Sequence, residues 1–291
     1  MTLTVLVPSS LVRETSDARE ATRKLGYVAR AAAVFRADRL VVFDDPAGET
    51  GRLDGEFVRV VLGYAATPPY LRKEAWDERD ELRDVGVLPP LGLPSWTDSE
   101  SSELREGIVT EVGSDGRVRV TCGMQHPIAL HTPDGTEVRE GERVAIRISS
   151  REPVRARIVD EPTPGLEVQR AALPEALARP DAGTTIASSR HGAELSVGRL
   201  ADCHARGALG GDLTVAFGAP GRGLPEILGV DPEDVPASLP GPDGPPGDEG
   251  DPDGPLAGFD GWCNTVPHQG SQVVRTEEAM VASLALLTLQ E

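Results

Sequence analysis

Apolar and polar positions in the first 45 residues fall into three blocks. Residues 3–7 (LTVLV), closed by Pro8, and 40–43 (LVVF), closed by Asp44-Asp45, are short, unalternating and β-branched. That is the pattern of strands buried on both faces. Between them, residues 16–36 repeat apolar side chains at helical spacing through Leu25, Val28, Ala32 and Phe35, with charges opposite. Ser16 or Asp17 stands where an N-cap belongs. Strand, helix, strand is the opening of a parallel sheet.

The helical period continues over 54–85, broken at Thr67-Pro68-Pro69, and a Pro/Gly-rich connector follows at 86–95. From 104 to 159 the period becomes two, through Ile108-Val109, Val118/Val120, Val144/Ile146/Ile148 and Ile158. Hairpin turns are expected at Ser114-Asp115-Gly116 and Pro133-Asp134-Gly135. Five or so short strands predict a small β-barrel of oligonucleotide-binding (OB) type. It reads as an insertion, because strands resume at 184–187 (TTIA) and 213–217 (LTVAF). A last helix is expected from Thr276 to Leu289, with Glu277 and Glu278 in the first turn, where the helix dipole favours them. It is nearly all apolar beyond that turn, so it should be buried in the core or against a partner subunit. The expected architecture is an α/β domain formed by 1–100 and 161–291, interrupted by a β-module at 101–160.

Charge adds a second layer. The 291 residues hold 47 acidic against 29 basic side chains, a net −18, and only Lys24 and Lys73 are lysine. A protein of a high-salt cytoplasm has this balance, although an acidic protein from a GC-rich genome would also trade Lys for Arg. Residues 231–258 contain 8 Pro, 6 Gly and 8 acidic residues without Lys or Arg, and are predicted to be a mobile loop. The longest apolar run, Ala279–Leu289, is too short to span a bilayer, and the N-terminus lacks a signal-peptide pattern. Cys122, Cys203 and Cys263 are odd in number and widely spaced, so no disulfide framework is expected and the cytosol is the expected compartment. No CxxC spacing accompanies the Cys and His residues, so no metal site is expected.

Two segments carry candidate chemistry. In 214–224 (TVAFGAPGRGL) a strand runs into Gly218, Gly221 and Gly223 before a helix start at Pro225-Glu226. Glycine after a strand lets backbone approach a ligand closely, though a glycine-rich turn without a ligand fits this segment alone equally well. The spacing is not GxGxxG, and residues 8–15 (PSSLVRET) hold no glycine, which argues against a nicotinamide cofactor. In 262–276 (WCNTVPHQGSQVVRT), polar side chains crowd a loop leading to the last helix.

Together these segments carry a resemblance. FGAPGRGL followed by FDGWCNTVPHQGSQVVRTEEAMVASLAL, with VPSSL, ARAAAVFRADRLVVFDD and TPPYLRK upstream, resembles archaeal and eukaryotic RNA methyltransferases of the SPOUT superfamily, uridine-N3 type. The acidic composition is that of a haloarchaeal-like member. The likeness covers most of the chain except 231–258.

It implies a C-terminal trefoil knot, S-adenosylmethionine as cofactor, an RNA substrate, ribosomal RNA being the more natural one, and a homodimer whose subunits complete each other's sites. The implied cofactor loops are 188–192, 218–224 and 264–270. They supply Ser188, Arg190 and Gly192, then Phe217, Gly218, Ala219, Gly223 and Leu224, then Asn264, Thr265, Val266, Gln269 and Gly270. Arg30 resembles the arginine that related knotted tRNA ribose methyltransferases place near the transferred methyl. Its implied role is to orient a phosphate or stabilise an anion, since arginine stays protonated and is no base. Ala219-Pro220 stand where those relatives carry an acidic residue, which argues against ribose methylation and leaves the proton acceptor open, with His268 and Glu277 as candidates.

Two locally basic stretches suit phosphate contacts: 13–39, with Arg13, Arg23 and Lys24, and 139–157, with Arg143, Arg147 and Arg155. The alternative to an enzyme is a non-catalytic RNA-binding or ribosome-assembly factor that keeps the knot fold.

Overall fold

The computed structural model describes residues 1–96, 104–114, 116–133, 137–151, 153–236, 239 and 256–289. Both expected hairpin tips, at 115 and 134–135, and most of the acidic loop, at 237–238 and 240–255, lie outside the described residues. Two compact units emerge: 1–63 with 83–89 and 166–291, and 64–82 with 90–165. The second unit thus takes in more chain than the 101–160 read from the change of period.

In chain order the elements are β1 (Leu3–Pro8), α1 (Ala18–Val34), β2 (Arg39–Phe43), α2 (Gly55–Ala66), α3 (Arg72–Ala75), β3 (Leu104–Val112), β4 (Arg117–Thr121), β5 (Ile128–His131), β6 (Arg143–Arg151) and β7 (Val154–Val159). There follow β8 (Glu167–Arg170), α4 (Leu173–Leu177), β9 (Thr184–Glu194), α5 (Val197–Ala205), β10 (Leu213–Phe217), α6 (Leu224–Leu228), β11 (Gly261–Asn264) and α7 (Thr276–Leu287).

The first unit is built on a sheet of order β11-β9-β10-β1-β2-β8, in which every neighbouring pair is parallel. The chain leaving β10 must cross β9 to reach β11. β1, β2 and β10 are buried along their whole length, as unalternating apolar runs require. Asp17 is the N-cap of α1, its carboxylate accepting the Glu20 N–H at 2.8 Å, while Glu20 in turn accepts the Ser16 N–H. Trp262 of β11 is fully buried and meets Phe259 edge-on, at 5.6 Å between ring centroids.

α7 is buried on one face only. Met280, Leu284 and Leu287 are buried, but Val281 is 49% and Leu289, just past its end, 52% exposed. On α1, against which α7 packs, Tyr27 and Val34 are 50% and 56% exposed. Each of the two helices therefore keeps apolar side chains exposed.

The second unit is an antiparallel sheet of order β5-β4-β3-β6-β7 whose two edge strands approach each other, so it nearly closes into a barrel. Val109, Val118, Val120, Ile146 and Ile158 fill it. Gly107 stands where a Cβ would come within 2.7 Å of both Ile146 and Val120.

All three cysteines are buried, and burial raises each thiol's pKa, that of Cys263 to about 12. The folded protein should therefore resist iodoacetamide near pH 8 and accept three labels only after denaturation, by intact-mass spectrometry. Fast labelling before denaturation would contradict this packing.

Candidate functional site

Strands β9, β10 and β11 end side by side, and the segments at those ends enclose a cleft of about 250 Å³. Ligands of open α/β sheets gather outside the carboxyl ends of strands.

The middle wall is the turn after β10. Ala219 and Arg222 exchange two backbone hydrogen bonds, at 2.9 and 3.0 Å, around Pro220 and Gly221, the latter at φ +67°. Proline followed by a positive-φ glycine is the type II arrangement. Gly218 serves close approach instead: a Cβ there would lie 2.8 Å from Gly223 Cα and 2.9 Å from Leu224 N.

Arg222 anchors this turn. Its Nε and Nη2 donate to the Asp45 carboxylate at 2.8 and 2.9 Å, and its Nη1 donates to Glu226 at 2.7 Å. Asp45, just past β2 and 3% exposed, also accepts from Ser10 Oγ at 2.5 Å. Hydrogen bonding to Asp45 pushes the Arg222 pKa above its usual value, so the guanidinium stays charged.

The first expected loop, 188–192, lies inside the eleven-residue strand β9. β9 pairs with β11 at Ala187↔Trp262 and next at Ala193↔Cys263, so the five residues between project from that ladder as a bulge. This is a correction to the reading of a short strand followed by a loop. It arises because β9 continues beyond the bulge to pair again. Across the cleft, Asn264 accepts the Val266 N–H at 3.0 Å and donates to the Arg190 carbonyl at 3.1 Å, joining the third segment to the bulge.

α7 fastens all three segments. Ser283, 0% exposed, hydrogen-bonds Thr265 at 2.8 Å and Ser188 at 3.2 Å, and Thr276 donates to the Gly218 carbonyl at 2.8 Å. These two buried hydroxyls, one at the start of α7 and one within its apolar part, each occupy a position that a cleft segment requires.

Of the cofactor residues expected from sequence, Ser188, Arg190, Phe217, Gly218 and Ala219 line the cleft. So do Gly223, Asn264, Thr265, Val266 and Gln269. Gly192 does not; a Cβ there would lie 2.6 Å from the Cys263 backbone nitrogen, so it serves packing of β9 on β11. Leu224 is wholly buried in the core and Gly270 is exposed away from the lining.

Arg30 is exposed on α1 and outside the lining, as is His268. Glu277 packs instead with Lys24, its Oε2 3.9 Å from the ammonium. Lys24 is 6% exposed and hydrogen-bonds Glu14, which withdraws it from the basic surface expected on α1. Arg13 is half-buried and Arg23 exposed. In the second unit Arg143 is bound to Glu106 at 2.9 Å and Arg147 to Glu161 at 2.6 Å, while Arg155 is exposed.

The sequence reading missed Asp45, His191, Arg222, Glu226, Thr276 and Ser283. Arg222 and His191 stood inside two of the expected cofactor loops, 218–224 and 188–192, though neither was singled out. His191 lines the cleft with its Nε2 accepting from Arg190 Nε at 3.0 Å. Partial burial and the Arg190 charge lower its pKa, so the imidazole is neutral at neutral pH.

Among the described residues no three His, Cys, Asp or Glu side chains are placed to hold a metal ion, and no helix is long and apolar enough to cross a membrane. What the cleft offers is apolar surface from Phe217, Val266, Val274 and Ala279, amides at Asn264 and Gln269, the Arg190 guanidinium, and a Glu226 carboxylate already paired with Arg222. That set fits an adenosyl–amino-acid molecule: flat apolar walls for a base, closely approached backbone at Gly218, and a guanidinium, Arg190, for a carboxylate.

A family model described as "Putative RNA methyltransferase" matches residues 2–287. An uncharacterized protein of Halobacterium salinarum is 62% identical over 294 residues, covering 100% of both chains, and one of Haloarcula marismortui is 59% identical with the same coverage. The 28S rRNA (uridine-N(3))-methyltransferase of Homo sapiens is 29% identical over 321 residues, covering 98% of this chain and 77% of the human one. With the match running through the strands, the cleft segments and α7 alike, the chain belongs to this RNA methyltransferase family.

Proposed function

We propose that this protein is an S-adenosylmethionine-dependent methyltransferase of the cytoplasm that modifies a base, uridine N3, of ribosomal RNA. The observation that carries the reading is the cleft itself, built at the ends of β9, β10 and β11 and fastened by Thr276 and Ser283. The path of the chain from β10 across β9 to β11 suits a trefoil knot at this end of the sheet. The acidic, lysine-poor surface suits a salt-rich cell.

The cofactor would supply an electrophilic methyl group, whose positive sulfonium charge is lost on transfer. The apolar walls would exclude water, so that positioning does most of the work. Uridine N3 must lose its proton; His191 and Glu226 are the cleft-lining side chains able to accept one. His191 would do so once its Nε2 is released from the Arg190 Nε–H.

Arg30 belongs to this mechanism through a second subunit. Arg23, Tyr27, Arg30 and Val34 lie at helical spacing on one exposed stripe of α1. A homodimer that covered Tyr27 and Val34, together with Val281 of α7, would carry Arg30 to its partner, where it could orient a phosphate or stabilise the uridine anion.

The test is calorimetric titration of S-adenosylmethionine at molar KCl, followed by primer extension on ribosomal RNA from a deletion strain. Cofactor binding by a dimer, with one uridine stop lost on deletion, is expected. Arg30→Ala should remove methyl transfer while leaving dimerisation and cofactor affinity within a few-fold. A folded dimer that binds RNA but never the cofactor, with or without RNA present, would leave the non-catalytic factor as the better account.

A further inference from the structure

Between the two edge strands of the second unit, β5 and β7, runs a groove of about 720 Å³. Arg147, Arg155 and Arg157 line it together with Ser149, over a floor that includes Leu130 and Val154. Among the described residues no acidic side chain lines it, in a chain whose net charge is −18. Arg155 and Arg157 are both exposed and have no carboxylate partner among the described residues.

The sheet register sharpens this. Arg157 of β7 stands directly opposite Arg147 of β6. Like charges on directly opposed strand positions destabilise a sheet, and Glu161 meets only Arg147. A polyanion in the groove would relieve the repulsion. Residues two apart on a strand share a face, about 6.6 Å apart, so Arg155 and Arg157 present two guanidinium groups at a spacing that successive phosphates of an extended single strand can match.

We propose that this groove binds the backbone of single-stranded RNA, without reading its sequence. The proposal rests on the RNA substrate named above and deepens it. Sequence-tolerant stacking platforms need aromatic side chains, and none lines the groove among the described residues. Amide and carboxylate side chains, which read adenine and cytosine edges, are absent from its lining among the described residues, so the one base preference its arginines could express is for guanine. Guanidinium groups over an aliphatic floor leave phosphate and ribose as the ligand. The barrel thus supplies affinity, and choice of the nucleotide falls to the cleft of the first unit.

Fluorescence anisotropy with labelled oligo-U, oligo-A and oligo-C of equal length tests this on the whole protein. The three should bind within about threefold of one another, with affinity falling as KCl rises. Arg155→Ala/Arg157→Ala should weaken all three about tenfold or more and flatten the salt slope by about 1.4, the share of two single-strand phosphates. Arg155→Lys/Arg157→Lys should restore most of the loss, and the melting temperature of the double alanine variant should stay level or rise as the charge opposite Arg147 is removed. Cofactor titration of the same variants should match the wild type.

Unchanged RNA affinity and slope in the double alanine variant, with the wild type binding RNA, would overturn the groove and leave the proposed function standing. A preference above about tenfold for one homopolymer that the variant abolishes would overturn the sequence-blind reading. A wild-type protein that binds no RNA at any salt would overturn both.

Discussion

Replacing Gly218 by alanine is expected to lower S-adenosylmethionine affinity at least about 100-fold, equivalent to about 2.7 kcal/mol. The added methyl would sit 2.8 Å from Gly223 Cα, 2.9 Å from Leu224 N and 3.0 Å from the Arg222 carbonyl. All three are backbone, so no rotamer change gives way and the turn itself must move. The turn is held on both sides, by the Thr276 hydroxyl on the Gly218 carbonyl and by Arg222 on Asp45. Its displacement therefore spoils the cleft wall rather than relaxing locally. Titration calorimetry reads the affinity, and thermal melting separates a moved wall from an unfolded chain. Wild-type affinity in a stably folded Gly218→Ala protein would show that the cofactor does not use this turn.

Asp45→Ala should cost about 3–5 kcal/mol of stability, the range for breaking a buried ion pair from one side. Asp45 accepts two hydrogen bonds from Arg222 and one from Ser10, and the Arg222 side chain is only 13% exposed. Truncation leaves a confined guanidinium with Glu226 alone, whose side chain is 57% exposed. The cost comes from the orphaned charge, so Asp45→Ala/Arg222→Ala should be less destabilised than the sum of the two single variants. Urea denaturation of the four proteins completes the cycle. Strict additivity, or a loss below about 1 kcal/mol for Asp45→Ala, would mean the pair is not clamped.

Local pattern carried most of the framework. β1, β2 and β10 were legible because runs such as LTVAF have no polar alternation to mistake for an exposed face. α1 was legible from its stripe and from Asp17. β8 and β11 escaped notice: each has four residues at a sheet edge, too short for periodicity to register. α5 escaped as well, with Gly198 and His204 diluting its pattern. The glycine turn and the polar third segment were visible as composition, and the resemblance picked out ten of the side chains that line the cleft.

The sequence by itself determined which segments become strands and helices, that the chain changes period near residue 104, and the family, since motifs and patterns are local properties of neighbouring residues. Only the tertiary structure decided which polar groups meet. Asp45 and Arg222 are 177 residues apart, and Ser188 and Ser283 are 95 apart. Neither pair has a spacing signature, because contact across a parallel sheet depends on strand order. The same cause turned Lys24 from a surface cation into a buried partner of Glu14 and Glu277. Charge is written in the sequence, but the helix face that α7 covers is set by the fold.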